Sequence, residues 1–188
     1  MGYSAHGPDE LRARAAAFSE PLAMEVCRCP EVAGKIMPGK WSEGQRLGFE
    51  VRACPVSRAD RERDVFLTSL ERALEKGTEP PGRVDVYLAW LVQRLRAAGT
   101  PGGTFIDAKG NSHEPAVELP AGRASLAGFR RVRVLRRKGG RGGRAGLGIE
   151  RPDALFTGEL VVRNPDLFAT LLERGVGRHR AFGFGMLL

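Results

Sequence analysis

Near its end this 188-residue chain reads Gly175-Val176-Gly177-Arg178-His179-Arg180-Ala181-Phe182-Gly183-Phe184-Gly185, then Met186-Leu187-Leu188. Glycine at this density lets a backbone approach a ligand closely and expose its N–H groups. Gly177, Gly183 and Gly185 are the candidates for that role, with Arg178, His179 and Arg180 supplying charge at the same place. Such a loop suits a phosphate-bearing partner. It is not a Walker loop, because no Gly-Lys-Ser/Thr follows, nor a dinucleotide fingerprint, because Gly183-Phe184-Gly185 leads into a predicted strand rather than a helix.

Charge elsewhere favours a polymeric anion. The net charge is +8, and between Arg130 and Arg144 stand eight basic residues with no acid among them: Arg130, Arg131, Arg133, Arg136, Arg137, Lys138, Arg141 and Arg144. A solvated face interleaves acids, as residues 60–76 do. An uninterrupted basic run points to a polyanion such as nucleic acid. The competing reading is surface charge in an Arg-, Ala- and Gly-rich chain, on a protein that binds a small molecule.

Little else suggests chemistry. Cys27, Cys29 and Cys54 are odd in number and form no disulfide framework, which fits a reducing cytoplasm. No second ligand pair follows Cys27-x-Cys29, so neither metal nor cofactor is expected. Of His6, His113 and His179, only His179 lies in a basic loop, where it contacts phosphate or is one more polar loop residue. No run approaches eighteen apolar residues and no signal peptide is visible, so no membrane role is expected. Trp41 and Trp90 sit beside apolar residues and read as core or interface, and one of Phe182 and Phe184 should point inward.

The elements that must carry these residues follow from periodicity. Pro8–Phe18 reads as a helix, and residues 19–46 as irregular with one short strand near Met24–Arg28. Leu47–Cys54 alternates as a half-buried strand. Arg61–Lys76 is a charged helix with Phe66, Leu70, Ala73 and Leu74 on one face. Val84–Ala98 is a second helix with Val84, Leu88, Leu91 and Leu95 inward and Gly99 as its cap. A polar loop spans Thr100–Glu114. Strands follow at Ala116–Leu119 and Phe129–Arg137. The latter runs into an arginine tip on a glycine backbone, through Lys138 to Arg144, and Leu155–Arg163 returns. Asn164-Pro165-Asp166 starts a helix that ends at Arg174-Gly175, and Phe182–Leu188 is the last strand. From residue 47 the order is β-α-β-β-α-β, an α+β, ferredoxin-like (RRM-like) domain. Residues 19–46 are the candidate domain boundary.

The Gly-rich end resembles the C-terminal loop of the CasE family, the CRISPR RNA-processing endoribonuclease of type I-E Cascade complexes. Gly44–Pro55, Tyr87-Leu88-Ala89-Trp90-Leu91 and Phe156-Thr157-Gly158-Glu159-Leu160 are similar to it in the same order. The resemblance implies two tandem ferredoxin-like domains that bind the stem-loop of a CRISPR repeat, here a partial one over 1–40 and the RNA-binding one with the Gly-rich loop over 41–188. It implies metal-independent cleavage at the stem base, with the 2′-hydroxyl as nucleophile, and retention of the product. The implied partners are the crRNA and other Cascade subunits, chiefly the backbone subunit at the crRNA 3′ end.

The resemblance also implies a catalytic His in a Tyr-x-x-His setting on the first helix. Tyr3-Ser4-Ala5-His6 fits by letters, but too few residues lie between His6 and Phe49 for most of a domain. A second register makes Gly2–His6 the end of an inner strand and Pro8–Phe18 the second helix, and the chain would then start partway through that domain. On this register the catalytic residue is unknown, with Tyr3 and His6 as the fallback. The alternative to a nuclease is a non-catalytic scaffold that only holds the crRNA hairpin.

Overall fold

A two-residue alternation of burial builds the first strand. In β1 (Arg46–Ala53), Phe49, Val51 and Ala53 are buried, while Gly48, Glu50 and Arg52 face the other way. The computed structural model describes residues 6–18, 38–58, 61–97, 115–137, 146–180 and 183–188. The chain divides into two units, Met1–Lys40 and Trp41–Leu188. In the first, α1 (Pro8–Phe18) carries ion pairs along its own surface, Arg12 to Asp9 and Arg14 to Glu10. His6, just before it, lies 2.9 Å from Glu10 through Nδ1. The short strand expected near 24–28 falls outside the described residues.

In the second unit, β1 is followed by a small antiparallel hairpin of β2 (Val56–Arg58) and β3 (Glu62–Asp64). Helices α2 (Val65–Lys76) and α3 (Arg83–Ala97) come next, then β4 (Val117–Glu118), β5 (Ala124–Arg137), β6 (Gly146–Val162) and α4 (Pro165–Arg174). β6 is the central strand. It pairs antiparallel with β1 from Arg46↔Val161 to Ala53↔Ala154, and with β5 from Ala124↔Gly158 to Arg137↔Gly146. β4 lies beside Val161 and Val162 on the β5 side. The chain end lies along the outer side of β1: Leu187 bridges Val51, and Glu50 and Leu188 exchange two backbone hydrogen bonds of 2.9 and 3.0 Å. Chain end, β1, β6, β5, with α2 and α3 between β1 and β5 in the chain and α4 linking β6 to the chain end, is the ferredoxin-like arrangement.

Three expectations shift. The first helix of this unit starts at Val65, not Arg61, because the Asp64 side chain accepts from the Phe66 N–H at 2.8 Å and caps it. Glu62–Asp64 are drawn into the hairpin instead. β6 extends back to Gly146, well beyond Leu155, across Pro152. That proline is tolerated because pairing with β1 stops at Ala154, so Pro152 is flanked only by Arg131 of β5 among the paired residues. The last strand shrinks to the single bridge at Leu187. Gly99, the 100–114 loop, the 138–145 tip and Phe182 fall outside the described residues.

The helices cover one sheet face. Phe49, Val51, Tyr87, Trp90, Leu91, Leu95, Phe156, Leu160, Phe168 and Leu171 form one core. Trp41 meets the Phe168 ring edge-on at 4.9 Å, and Trp90 stacks on Phe156 at 6.4 Å. Leu74 and Val84, expected inside, are exposed, and Tyr87 is buried instead. Its hydroxyl donates to Asp64 at 2.9 Å, and Arg83 donates to both. Burial first, and then the bond to Asp64, push the Tyr87 phenol well above its usual range. α4 starts as expected, with Asn164 accepting from the N–H groups of Asp166 and Leu167.

The other sheet face stays open and polar. Here Asp153 of β6, only 4% exposed, accepts from Arg130 Nε of β5 at 2.7 Å and from Arg52 of β1, whose Nε also sits at 2.7 Å. Burial raises the Asp153 pKa, but the two arginines outweigh it and hold the carboxyl below its ordinary value. At the same end the Gly185 N–H donates to the Arg52 carbonyl at 2.6 Å and its own carbonyl accepts from Val176 at 2.7 Å. Gly185 sits at φ 80°, and a Cβ there would collide with the Val176 carbonyl.

Two stability predictions follow from this end of the sheet. A carboxyl held below its unfolded value stabilises the fold at neutral pH, and that contribution is lost as pH falls through the folded value. Asp153→Asn should therefore cost about 2 kcal/mol at neutral pH. The gap to the wild type should narrow as pH drops below about 4, as read by urea unfolding across pH. Gly185→Ala should cost more than Gly183→Ala in the same assay. Both add left-handed strain of about 1–2 kcal/mol, but Gly183 has open space around it whereas Gly185 also meets a carbonyl.

Candidate nucleic-acid interface

The Gly-rich loop is anchored at one carboxylate. Glu62, the first residue of β3, is 15% exposed and receives three basic side chains. Arg151 of β6 reaches it at 2.9 Å, His179 Nε2 at 2.8 Å and Arg178 Nη1 at 3.3 Å. Burial pushes the Glu62 carboxyl up, but His179, Arg151 and Arg178 outweigh it and hold the pKa below the usual carboxylate value. His179 takes φ 62°, the only positive φ of a non-glycine among the described residues. A side chain in that region costs about 1–2 kcal/mol, so the contacts at Glu62 must hold it there.

Helix α3 supports the loop from the core side. The Trp90 ring lies so close under Gly177 (φ 77°) that a Cβ would sit 3.0 Å from it. Burial, with the charge of Arg178 adding to it, lowers the pKa of Arg94 one turn further along α3. Inside the loop, Gly183 N–H donates to the Arg180 carbonyl at 3.0 Å, and Arg180 turns back to donate to the Arg174 carbonyl. The N–H groups of Gly183 and Gly185, expected to face phosphate, are thus used within the protein. Gly177, Gly183 and Gly185 all hold positive φ.

The arginine strand has partners that its own sequence hides. Arg130 is tied to Asp153, and Arg131 lies 3.8 Å from Glu150, both acids coming from the facing strand β6. Arg133 lies across Gly148. Arg136 and Arg137 end the β5 ladder opposite Leu147 and Gly146. Lys138, Arg141, Arg144 and Tyr3 are outside the described residues.

Arg130, Arg178 and His179 come to one end of the open sheet face, where Phe184 packs with Cys54 and Val56 and its ring lies 5.5 Å below the Arg52 guanidinium. His6 belongs to the other unit. Burial pushes the Cys54 thiol up to about 12, so it is a core residue rather than a nucleophile. Arg52, Arg151, Glu62 and Asp153 belong to the site but were not read from the sequence. Arg52 and Glu62 lay in segments read as an ordinary strand and a solvated helix, and only strand register brings them beside Asp153 and Arg151.

No curated protein matches the chain. Among solved structures it is similar to a CRISPR endoribonuclease Cse3 bound to 19 nt RNA, at 26% identity and TM-score 0.51, over 81% of this chain and 58% of that one. It is also similar to the Thermus thermophilus Cse3 bound to an RNA representing a pre-cleavage complex. That match is at 23% identity and TM-score 0.44, over 82% of this chain and 57% of that one. This chain therefore spans less than two thirds of the length of these structures. The profile of the family described as CRISPR associated protein matches residues 1–188, the full sequence given, and the chain belongs to that family.

Proposed function

We propose that this protein binds the stem-loop of a CRISPR repeat RNA and stays on the 3′ hairpin of the crRNA as a subunit of a Cascade complex. The carrying observation is the convergence of cations from four elements on one end of the sheet. Arg52 comes from β1, Arg130 from β5, Arg151 from β6, and Arg178 with His179 from the Gly-rich loop. Two sheltered carboxylates hold these groups in place but do not neutralise them. Arg52 and Arg130 remain 47% and 66% exposed around Asp153, so their outer faces can meet phosphate. An A-form stem offers phosphates and 2′-hydroxyls to such a surface and hides its base edges in a deep groove. The similar Cse3 structure holds RNA and is named an endoribonuclease.

On this reading residues 41–188 are the RNA-binding ferredoxin-like domain and residues 1–40 part of a second one. The partners are the crRNA hairpin and the neighbouring backbone subunit. No helix among the described residues is long and apolar enough to cross a membrane, and we place the protein in the cytoplasm with its RNA. Arg131, Arg133 and Arg180 extend the same basic surface, and on this reading Arg136, Arg137, Lys138, Arg141 and Arg144 also bind the RNA.

Processing would be metal-independent attack by a 2′-hydroxyl, which needs a general base and an acid for the leaving 5′-oxygen. A positioned histidine in either role gives about 10²- to 10⁴-fold. The histidines described here are each engaged with a carboxylate, His6 with Glu10 and His179 with Glu62. The second reading is a non-catalytic scaffold that only holds the hairpin; at the basic surface the histidine Nε2 is already taken up by Glu62.

Two measurements test these readings. Affinity for an RNA hairpin should exceed that for a single strand and fall with salt, each phosphate contact adding about 0.7 to 0.9 to the log–log slope. Replacing Arg136, Arg137 and Arg141 together by Ala should lower the slope by roughly two to three units; an unchanged slope in fluorescence anisotropy removes β5 and its tip from the interface. In a denaturing-gel assay with a chelator present, the chain should cleave slowly or not at all and His6→Ala should change nothing. Efficient cleavage that disappears in His6→Ala would instead make Tyr3 and His6 the active site.

A further inference from the structure

We infer that Glu62 is the positioning residue of the RNA site, acting by aiming Arg178 and His179 of the Gly-rich loop; this rests on the RNA-binding reading above. A carboxylate in a polyanion site is electrostatically unfavourable, and the presence of Glu62 in this one needs a reason. The geometry supplies it. Glu62 is fixed by the β2–β3 hairpin, which is short and rigidly joined to α2 through the Asp64 cap. From there its two carboxylate oxygens divide the labour: Oε2 takes Arg151 and His179, and Oε1 takes Arg178.

Arg151 is 13% exposed, so it mainly locks Glu62 to the central strand. Arg178 is 47% exposed. It keeps an outer face for phosphate while its inner face is held. His179 sits in left-handed backbone, which an unrestrained His would leave. With Glu62 gone, residues 178 and 179 lose the contact that fixes both side chains. The surrounding arginines, Arg94 on α3 and Arg151 on β6, would then repel the freed Arg178.

Two effects of removing Glu62 have opposite signs, and this makes the inference testable. Loss of a negative charge alone should tighten binding to a polyanion. Loss of positioning should weaken it. Fluorescence anisotropy with a labelled RNA hairpin, at fixed salt and well below the melting temperature, decides between them. Glu62→Ala should bind about tenfold more weakly than the wild type. Glu62→Gln should be nearly as weak, because its amide nitrogen is a donor facing donors, and Glu62→Asp should recover part of the loss. The control Glu71→Ala removes an exposed carboxylate paired with Arg63 on α2, and should leave affinity unchanged or slightly higher.

A double-mutant cycle with Arg178→Ala adds a readout that a purely structural role would not move. The double variant should be little weaker than the worse single one, because Glu62 acts through Arg178. If Glu62→Ala does not fold, as judged by circular dichroism, the Gln and Asp variants carry the test. Equal or tighter binding by the folded Glu62 variants, or fully additive losses in the cycle, would overturn the positioning role while leaving the RNA reading intact. A wild-type chain that does not bind the hairpin would overturn both.

Discussion

Cations cannot be crowded onto one surface without something between them, and here that something is a sheltered carboxylate. Asp153 stands between Arg52 and Arg130, and Glu62 stands among Arg151, Arg178 and His179. Two unit charges 4 Å apart interact by about 1 kcal/mol in water and about 4 kcal/mol at the effective dielectric of a protein surface. Shared carboxylates turn that repulsion into attraction and orient each guanidinium. Removing Glu62 leaves the sheltered Arg151 unpaired. The order of the whole basic end therefore depends on two acids that are nearly invisible from solvent.

The tripeptide Glu62-Arg63-Asp64 shows how the fold makes this possible. In an extended strand, alternate side chains point to opposite sides. Arg63 turns outward to Glu71 of α2. Glu62 and Asp64 serve separate networks, the first gathering the Gly-rich loop and the second capping α2 while holding Tyr87 and Arg83 of α3. Arg83 also lies over the Phe66 and Phe129 rings, at 4.0 and 4.4 Å, tying the helix pair to the root of the arginine strand. Three residues thus connect both long helices, the central strand and the loop.

Much of the fold was legible because period and caps agree with the final packing. The alternation of Leu47–Cys54 and the Asn164-Pro165 start are local signals, and each survives unchanged in the structure. The ferredoxin-like order could be read from these elements alone. What was not legible depends on pairing across distance. Glu62–Asp64 carry helix-like charge and become strand because β2 offers a partner. β6 runs through Pro152 because its second neighbour has already ended. Arg130 looked unopposed because its counter-ion is twenty-three positions away on the facing strand. Arg52 and Glu62 look ordinary for the same reason.

The loop glycines allow a sharper statement about how a polyanion can be held. A phosphate cradle of the nest type needs backbone N–H groups left free to point outward. Here the N–H groups of Val176, Gly183 and Gly185 donate to carbonyls of the protein. The positive φ values at Gly175, Gly177, Gly183 and Gly185 therefore serve to fold the loop tightly over Trp90 and against β1. On the proposed RNA-binding reading, recognition passes to the side chains this compact turn projects, above all Arg178 and His179. Guanidinium groups reach phosphate in any sequence context. A site made this way would read the shape and charge of a stem and leave its base edges unread.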